Sequence, residues 1–336
     1  MSHRLLSSLA HVELLTPDLE ASVAFAHDML GLHIVEERDG SVYLRCWGDD
    51  YRYSLVLTRS AEPGLGHASW RTDGEEQLGE AVAAIEASGA RGEWIDDSVG
   101  HGRAYRFEGP GGQTHELFWD VERAVSPPGE ESPYPGRVQR ASPHGIGVRM
   151  LDHVTVTTPD VQASAEWCRK TLGFRIMAAV EPAPGAPWVF TVATTNEKSH
   201  DLGYILDFDG LRGRLHHVAF WVETNHDITQ GATFLIEHGA AVDFGPGQHG
   251  IGEQNYLYFR DPVGLRYELN SGGYRNYVPD WEPVIWRPEH GSNNTYRTEL
   301  GMPAVHAVNI PPGIVGHSAD MADMRGDSAA AALARS

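Results

Sequence analysis

The chain has 336 residues, enough for two domains of ordinary size with sizeable cores. Its composition, 41% apolar and 21% charged, is that of a globular protein, and 46 Asp and Glu against 26 Lys and Arg give a formal charge of -20, which excludes a phosphate backbone as partner. Two distant cysteines, Cys46 and Cys168, cannot build a disulfide framework or a thiolate zinc site, and no apolar run reaches membrane-spanning length, so the cytoplasm is the expected location, with no membrane partner.

The N-terminal stretch MSHRLLSSLAHVELL lacks the uninterrupted apolar region of a signal peptide. Residues 9–34 then align without a gap on residues 151–176, at an offset of 151 − 9 = 142. Eleven positions are identical, among them His11/His153, Thr-Pro-Asp at 16–18 and 158–160, and Leu-Gly at 30–31 and 172–173. The chain is therefore two copies of one unit. Each copy opens on an alternating strand (HVELL, HVTVT) that Thr-Pro-Asp stops, and Asp18 or Asp160 can cap a helix there. Val23, Phe25, Met29 and Leu30, like Ala165, Trp167 and Leu172, keep helical spacing, and Leu-Gly ends the helix. Further strands follow: SVYLRCW and YSLVLT in the first copy, WVFTVATT and LGYILDF in the second.

The pattern restarts inside each copy. HASWRT leads to the helix EQLGEAVAAIEASG, HHVAFWV to ITQGATFLIEHG, and each restart closes on a strand pair, AYRFEGPGGQTHELFW or YLYFRDPVGLRYELN. The expected fold class is α+β: four βαβββ modules paired into two similar domains, at 1–135 and 151–290. A linker at 136–150, in a Pro-, Gly- and Ser-rich stretch, joins them, and 291–336 is an extension, partly loose at its end SAAAALARS.

One βαβββ unit cannot bury both faces of its sheet, so paired units are expected to curl round a cavity lined by their first strands. His153 opens module three, His217 opens module four, and Glu268 sits on the last strand of module four. In RLHHVAFWV, residues 214–222, the frame shared with His153, His11 and His67 turns His217 inward and His216 outward, against the neighbouring domain. One strand histidine is usually a hydrogen-bonded core residue. Two at equivalent module starts, with a carboxylate on the closing strand, point to a metal. Two imidazoles and a carboxylate leave octahedral positions open, which suits Fe(II), with Mn(II) an alternative, better than zinc.

With these residues in place, the second half resembles the catalytic domain of the type I extradiol ring-cleavage dioxygenases of the vicinal oxygen chelate superfamily. The resemblance spans residues 5–286 in arrangement. It is carried by LDH at 151–153, SHD at 199–201, HHVAF at 216–220, QHGI at 248–251 and YLYFRDPVGLRYEL at 256–269. It implies metal ligands at His153, His217 and Glu268, with His200, His249 and Tyr258 around them and a structural turn at Asp261 and Pro262. The implied reaction is extradiol cleavage of a catechol by dioxygen at non-haem Fe(II), in aromatic catabolism, giving a 2-hydroxymuconate semialdehyde type product. His200 would steady the activated oxygen and exchange protons, His249 would bond a substrate oxygen, and Tyr258 would accept a hydrogen bond or proton.

Trp188, Phe190 and Ile251 are expected to wall the substrate pocket, with 275–286 as a lid. Relatives commonly form homo-oligomers. The same fold also supports a metal-dependent glyoxalase or epimerase and a non-enzymatic small-molecule-binding protein. The first copy carries His11, His67 and Glu116 at corresponding places, but SHD has no counterpart there and Arg106 stands where Tyr258 stands. In the family that half is usually vestigial, so one working site is expected.

Overall fold

The structure, a computed structural model, describes residues 4–142, 144–296, 306 and 308–311. The first half runs β1 (Leu6–Thr16), α1 (Leu19–Ala24, prolonged by a π turn over Phe25–Met29), β2 (His33–Arg38), β3 (Ser41–Arg45) and β4 (Leu55–Arg59). It continues with β5 (Gly64–Thr72), α2 (Glu75–Ala87), β6 (Gly92–Ile95), β7 (Ala104–Glu108) and β8 (Thr114–Phe118). The second half repeats this order: β9 (Met150–Thr158), α3 (Val161–Leu172), β10 (Arg175–Val180), β11 (Phe190–Thr194) and β12 (Leu202–Leu206). Its second module is β13 (Leu215–Trp221), α4 (Asn225–Glu237), β14 (Ala241–Gln248), β15 (Gln254–Arg260) and β16 (Arg266–Gly272). These are the four expected modules.

Local chemistry sets the joints. Asp18 Oδ1 accepts from the Ala21 amide at 3.1 Å and Asp160 Oδ1 from the Ala163 amide at 2.9 Å, so each Thr-Pro-Asp both stops a strand and caps the next helix. Gly173 closes α3 at φ 76, a left-handed turn that favours glycine.

Each half forms one sheet, in the orders β2-β3-β4-β1-β5-β8-β7-β6 and β14-β15-β16-β13-β9-β12-β11-β10. The first strands of paired modules run antiparallel side by side, β1 with β5 and β9 with β13. Alternation then divides the faces. Val12 and Leu14 join Val154 and Val156, with Ile85, Cys168 and Leu172 from the helices, in one core shared by both halves. His11 and Glu13, like His153 and Thr155, take the other face and line the cavity of their own half. Gln113 Nε2 clamps the halves together, donating to Thr157 O at 2.7 Å and Arg214 O at 2.9 Å.

One expectation changes here. Segment 275–286 is no lid. Its end forms β17 (Val284–Trp286), parallel to β10 at the sheet edge, and Trp281 Nε1 donates to Met177 O at 2.9 Å, behind the cavity wall. The extension from 291 is in part bound structure: Ile310 bridges Leu215, and Arg266 Nη2 donates to Val308 O at 2.6 Å. The terminal SAAAALARS lies outside the described residues. Among the described residues no helix is long and apolar enough to cross a membrane.

Candidate active site

His153 on β9, His217 on β13 and Glu268 on β16 meet at the floor of the second-half cavity, all buried. His153 Nε2 lies 3.0 Å from His217 Nε2 and 3.1 Å from Glu268 Oε2, and His217 Nε2 lies 3.0 Å from the same oxygen. Their other ring atoms decide what these contacts are. Asp152 Oδ2 accepts from His153 Nδ1 at 2.7 Å, so the neutral ring keeps its lone pair on Nε2. His216 Nε2 donates to His306 O at 3.2 Å, since a carbonyl can only accept. His216 Nδ1 is thereby the lone pair, and His217 Nδ1, 2.6 Å away, must donate to it. His217 Nε2 is a lone pair as well. Neither Glu268 oxygen receives a hydrogen bond.

Three buried electron-pair donors thus face one another, and they require a positive charge between them. A single proton is one answer. Burial pulls His153 down, but the adjacent Asp152 and Glu268 outweigh it and push its pKa up to about 9. Burial takes His217 to about 4, so the pair holds one proton. A divalent ion is the other answer, and the triangle has its dimensions. Bonds of about 2.1 Å at right angles put donors about 3.0 Å apart, against about 3.4 Å at the tetrahedral angle. The observed edges of 3.0, 3.1 and 3.0 Å match the spacing that three ligands of a six-coordinate ion would need.

The position of His216 corrects the sequence reading. It is buried, and it lines the cavity beside His217. The strict two-residue alternation fails at a β-bulge: Leu215 pairs with Val156 and His217 with Thr155, which leaves His216 as the extra residue. Arg266 Nη1 holds the bulge by donating to His216 O at 3.0 Å.

His200, His249 and Tyr258 all reach the cavity. His200 packs on His153 with ring centroids 4.2 Å apart, and burial together with neighbouring His153 holds its pKa well below the usual histidine range. His249 Nδ1 donates to Asn293 O at 2.5 Å, so its Nε2 accepts from Tyr258 Oη at 2.9 Å. Burial and the Glu268 charge push the Tyr258 phenol well above its ordinary value, so it is neutral. Asp261 anchors its turn as expected, accepting from the amides of Val263 at 3.1 Å and Leu265 at 2.8 Å.

The cavity holds about 260 Å³. Phe190 and Ile251 line it, with Val180, Val189, Val192 and Ile205. Trp188 does not. It precedes β11, where strand alternation does not yet govern, and its side chain packs against the shared core. Three residues without an assigned role complete the site: Asp152, His216 and His306. The carboxylate beside His153 in LDH was a readable signal for Asp152. His306 comes from an aperiodic segment, and its ring packs on Tyr258 at 4.3 Å. Among the described residues, no Lys or Arg lines the cavity.

In the first half, His11, His67 and Glu116 also converge, joined by His101, which the sequence did not single out. There Glu116 Oε2 accepts from Arg106 Nε at 2.6 Å and Oε1 from Ser69 Oγ at 2.6 Å.

The description "Glyoxalase/Bleomycin resistance protein/Dioxygenase superfamily" fits the chain at residues 8–117 and 150–269. A manganese-dependent 2,3-dihydroxybiphenyl 1,2-dioxygenase of Geobacillus genomosp. 3 is 35% identical over 292 residues, covering 85% of this chain and 91% of the relative. A metapyrocatechase of Geobacillus stearothermophilus is 33% identical, over 86% of this chain and 88% of its own. An iron-dependent extradiol dioxygenase of Rhodococcus jostii is 24% identical over 82% of this chain and 92% of its own. Among solved structures, homoprotocatechuate 2,3-dioxygenase from Brevibacterium fuscum, in complex with 3,4-dihydroxyphenylacetate, superposes with a TM-score of 0.79 at 26% identity, covering 92% of this chain and 93% of that one.

Proposed function

The chain belongs to the Glyoxalase/Bleomycin resistance protein/Dioxygenase superfamily and is an extradiol dioxygenase, an iron- or manganese-dependent enzyme that opens a catechol ring with dioxygen; on that premise we propose that residues 151–290 are its catalytic domain, with the ion held by His153, His217 and Glu268. One observation carries this reading: two imidazole Nε2 atoms and a carboxylate oxygen, all buried and 3.0–3.1 Å from one another, converge at the floor of a cavity walled by Val, Ile and Phe. The ion, when bound, supplies Lewis acidity and holds both reactants side by side.

The chain's own residues handle the protons. Tyr258 is a neutral phenol bonded to a histidine lone pair, so a proton leaving a substrate hydroxyl can pass through Oη to His249 Nε2. The Asn293 carbonyl keeps His249 in the tautomer that can receive it. His200, neutral and beside His153, has one N–H and one lone pair to offer the oxygen side of the reaction. The apolar wall excludes water from the reacting ring.

The substrate assigned to this site is a catechol with an apolar alkyl or aryl substituent. Eight Val, Ile and Phe side chains line the pocket and, among the described residues, no Lys or Arg does, so a carboxylated side chain would meet no described cation, and burying an unpaired carboxylate costs several kcal/mol. The test is kcat/KM by oxygen uptake and yellow product for catechol, 3- and 4-alkylcatechols, 2,3-dihydroxybiphenyl and 3,4-dihydroxyphenylacetate. The carboxylated member should trail the best alkyl or aryl member by about 100-fold or more. Parity within about tenfold would overturn the substrate assignment. Undiminished cleavage by His217→Ala would overturn the site. The assignment also takes the enzyme as a cytoplasmic homo-oligomer, which molar mass by light scattering and cell fractionation check.

A further inference from the structure

We infer that the first-half cup is a second metal site, built for four-coordinate Zn(II) on His11, His67 and Glu116, with its fourth position open to the cavity in front of it. The bulge that sets the catalytic histidine recurs here. Glu13 pairs with His67 and Leu14 with Leu65, so Gly66 is the extra residue, at the place of His216. Glycine leaves the Glu13 carboxylate its place there, because a Cβ on Gly66 would stand 2.3 Å from Glu13 Oε2. Through that gap Glu13 Oε2 accepts from His67 Nδ1 at 2.7 Å. The carboxylate thus does for His67 what the His216 ring does for His217, turning a lone pair on Nε2 toward the cluster. His101 stands beside the same carboxylate: its Nδ1 donates to Gly102 O at 2.8 Å, which leaves Nε2 facing Glu116 Oε1, 3.3 Å away.

The spacing differs from that of the catalytic triangle. His11 Nε2 lies 3.3 Å from His67 Nε2, and each lies 3.6 Å from Glu116 Oε1. These edges straddle the roughly 3.4 Å expected for tetrahedral angles at bonds of about 2.1 Å, not the roughly 3.0 Å of an octahedral face. Two histidines, one glutamate and an open position make a familiar zinc donor set. Arg106 is no bar. It occupies Oε2, whereas the imidazoles face Oε1, and each carboxylate oxygen has two lone pairs. The charges also match the catalytic site, where two carboxylates, Asp152 and Glu268, stand with one cation, Lys198, 2.8 Å from Asp152; here Glu13 and Glu116 stand with Arg106. A cavity of about 200 Å³, lined by Tyr43, Tyr53 and Arg106, gives the fourth position room for water or a small anion.

The test uses the iron-loaded enzyme dialysed against micromolar Zn(II), with metal counted per chain. The wild type should retain one zinc beside one iron. His67→Ala and His11→Ala should lose the zinc while ring-cleavage kcat/KM stays within about twofold, because the two sites share no side chain. His217→Ala should lose iron and keep zinc. Co(II) added in place of zinc should give the intense visible absorption of four-coordination, absent in His67→Ala. If the variants do not fold, the wild-type count and the cobalt spectrum still decide. Zinc lost on dialysis, zinc that departs with His217 rather than His67, or only the weak absorption of six-coordinate cobalt overturns the proposal.

Discussion

Replacing His216 by Leu isolates the claim that the bulge histidine sets the tautomer of His217. The His216 ring touches no proposed metal ligand except through its Nδ1, 2.6 Å from His217 Nδ1. In His216→Leu the buried His217 Nδ1–H has no acceptor. Leaving such a donor unmet costs about 1–3 kcal/mol, and the ring escapes that cost by moving its proton to Nε2. That tautomer cannot bind a metal. Metal affinity should therefore fall about 10- to 100-fold, or about 1.4–2.7 kcal/mol, the range seen when the partner of a metal-bound histidine is lost. His216→Gln, whose side-chain carbonyl can accept the same proton, should recover part of the loss. The assay is anaerobic competition for Fe(II) or Mn(II) against a chelator of known affinity, with kcat measured at saturating metal. The reasoning predicts a large change in affinity and a small one in kcat. An affinity for His216→Leu within about twofold of wild type would refute it, as would equal losses in the Leu and Gln variants.

Two further outcomes follow from buried charges. Burial raises the Asp261 pKa from 3.8 to about 6, so the folded chain binds this proton more tightly than the unfolded chain does. Its stabilising effect is complete below pH 4 and is lost as pH rises through 6, about 3 kcal/mol in all. In urea unfolding, Asp261→Asn should therefore gain on wild type as pH rises from 4 to 7; a difference independent of pH contradicts the raised pKa. Arg266 is fully buried, with Nε 2.9 Å from Asp243 and donors on the carbonyls of His216 and Val308. Arg266→Met should destabilise the chain by about 3 kcal/mol and, by loosening the bulge, weaken metal binding too, whereas an unchanged melting temperature would show that these bonds contribute little.

The parts of this site legible in the sequence are those that the duplication places. His153, His217 and Glu268 fall at equivalent points of a module whose strands alternate, so counting residues locates them. The parts that were not legible depend on departures from regularity. A bulge is a property of two strands together, so parity within RLHHVAFWV could not reveal that His216 shares the cavity with His217. Trp188 misled because it lies just before β11, where its near neighbour Val189 takes the wall instead. His306 could not be found from any pattern, since a single aperiodic stretch delivers it, held by the Arg266 contact to Val308.

The two bulges also explain how one duplicated frame reaches two chemistries. In both halves a neighbour must accept the Nδ1 proton of the second histidine, or that ring cannot ligate. In the second half the acceptor is His216, the bulge residue itself, and Thr155 pairs with His217 across the strands. In the first half the bulge residue is Gly66, and the acceptor is Glu13, at the position equivalent to Thr155. Exchanging the acceptor between the strands adds a full negative charge beside His67, where His217 has a neutral ring. That charge strengthens His67 as a donor and, with Arg106 on Glu116 in place of the neutral Tyr258, makes the first cup polar, whereas the second is walled by Val, Ile and Phe. A catechol carrying an apolar group has a surface to bury only in the second.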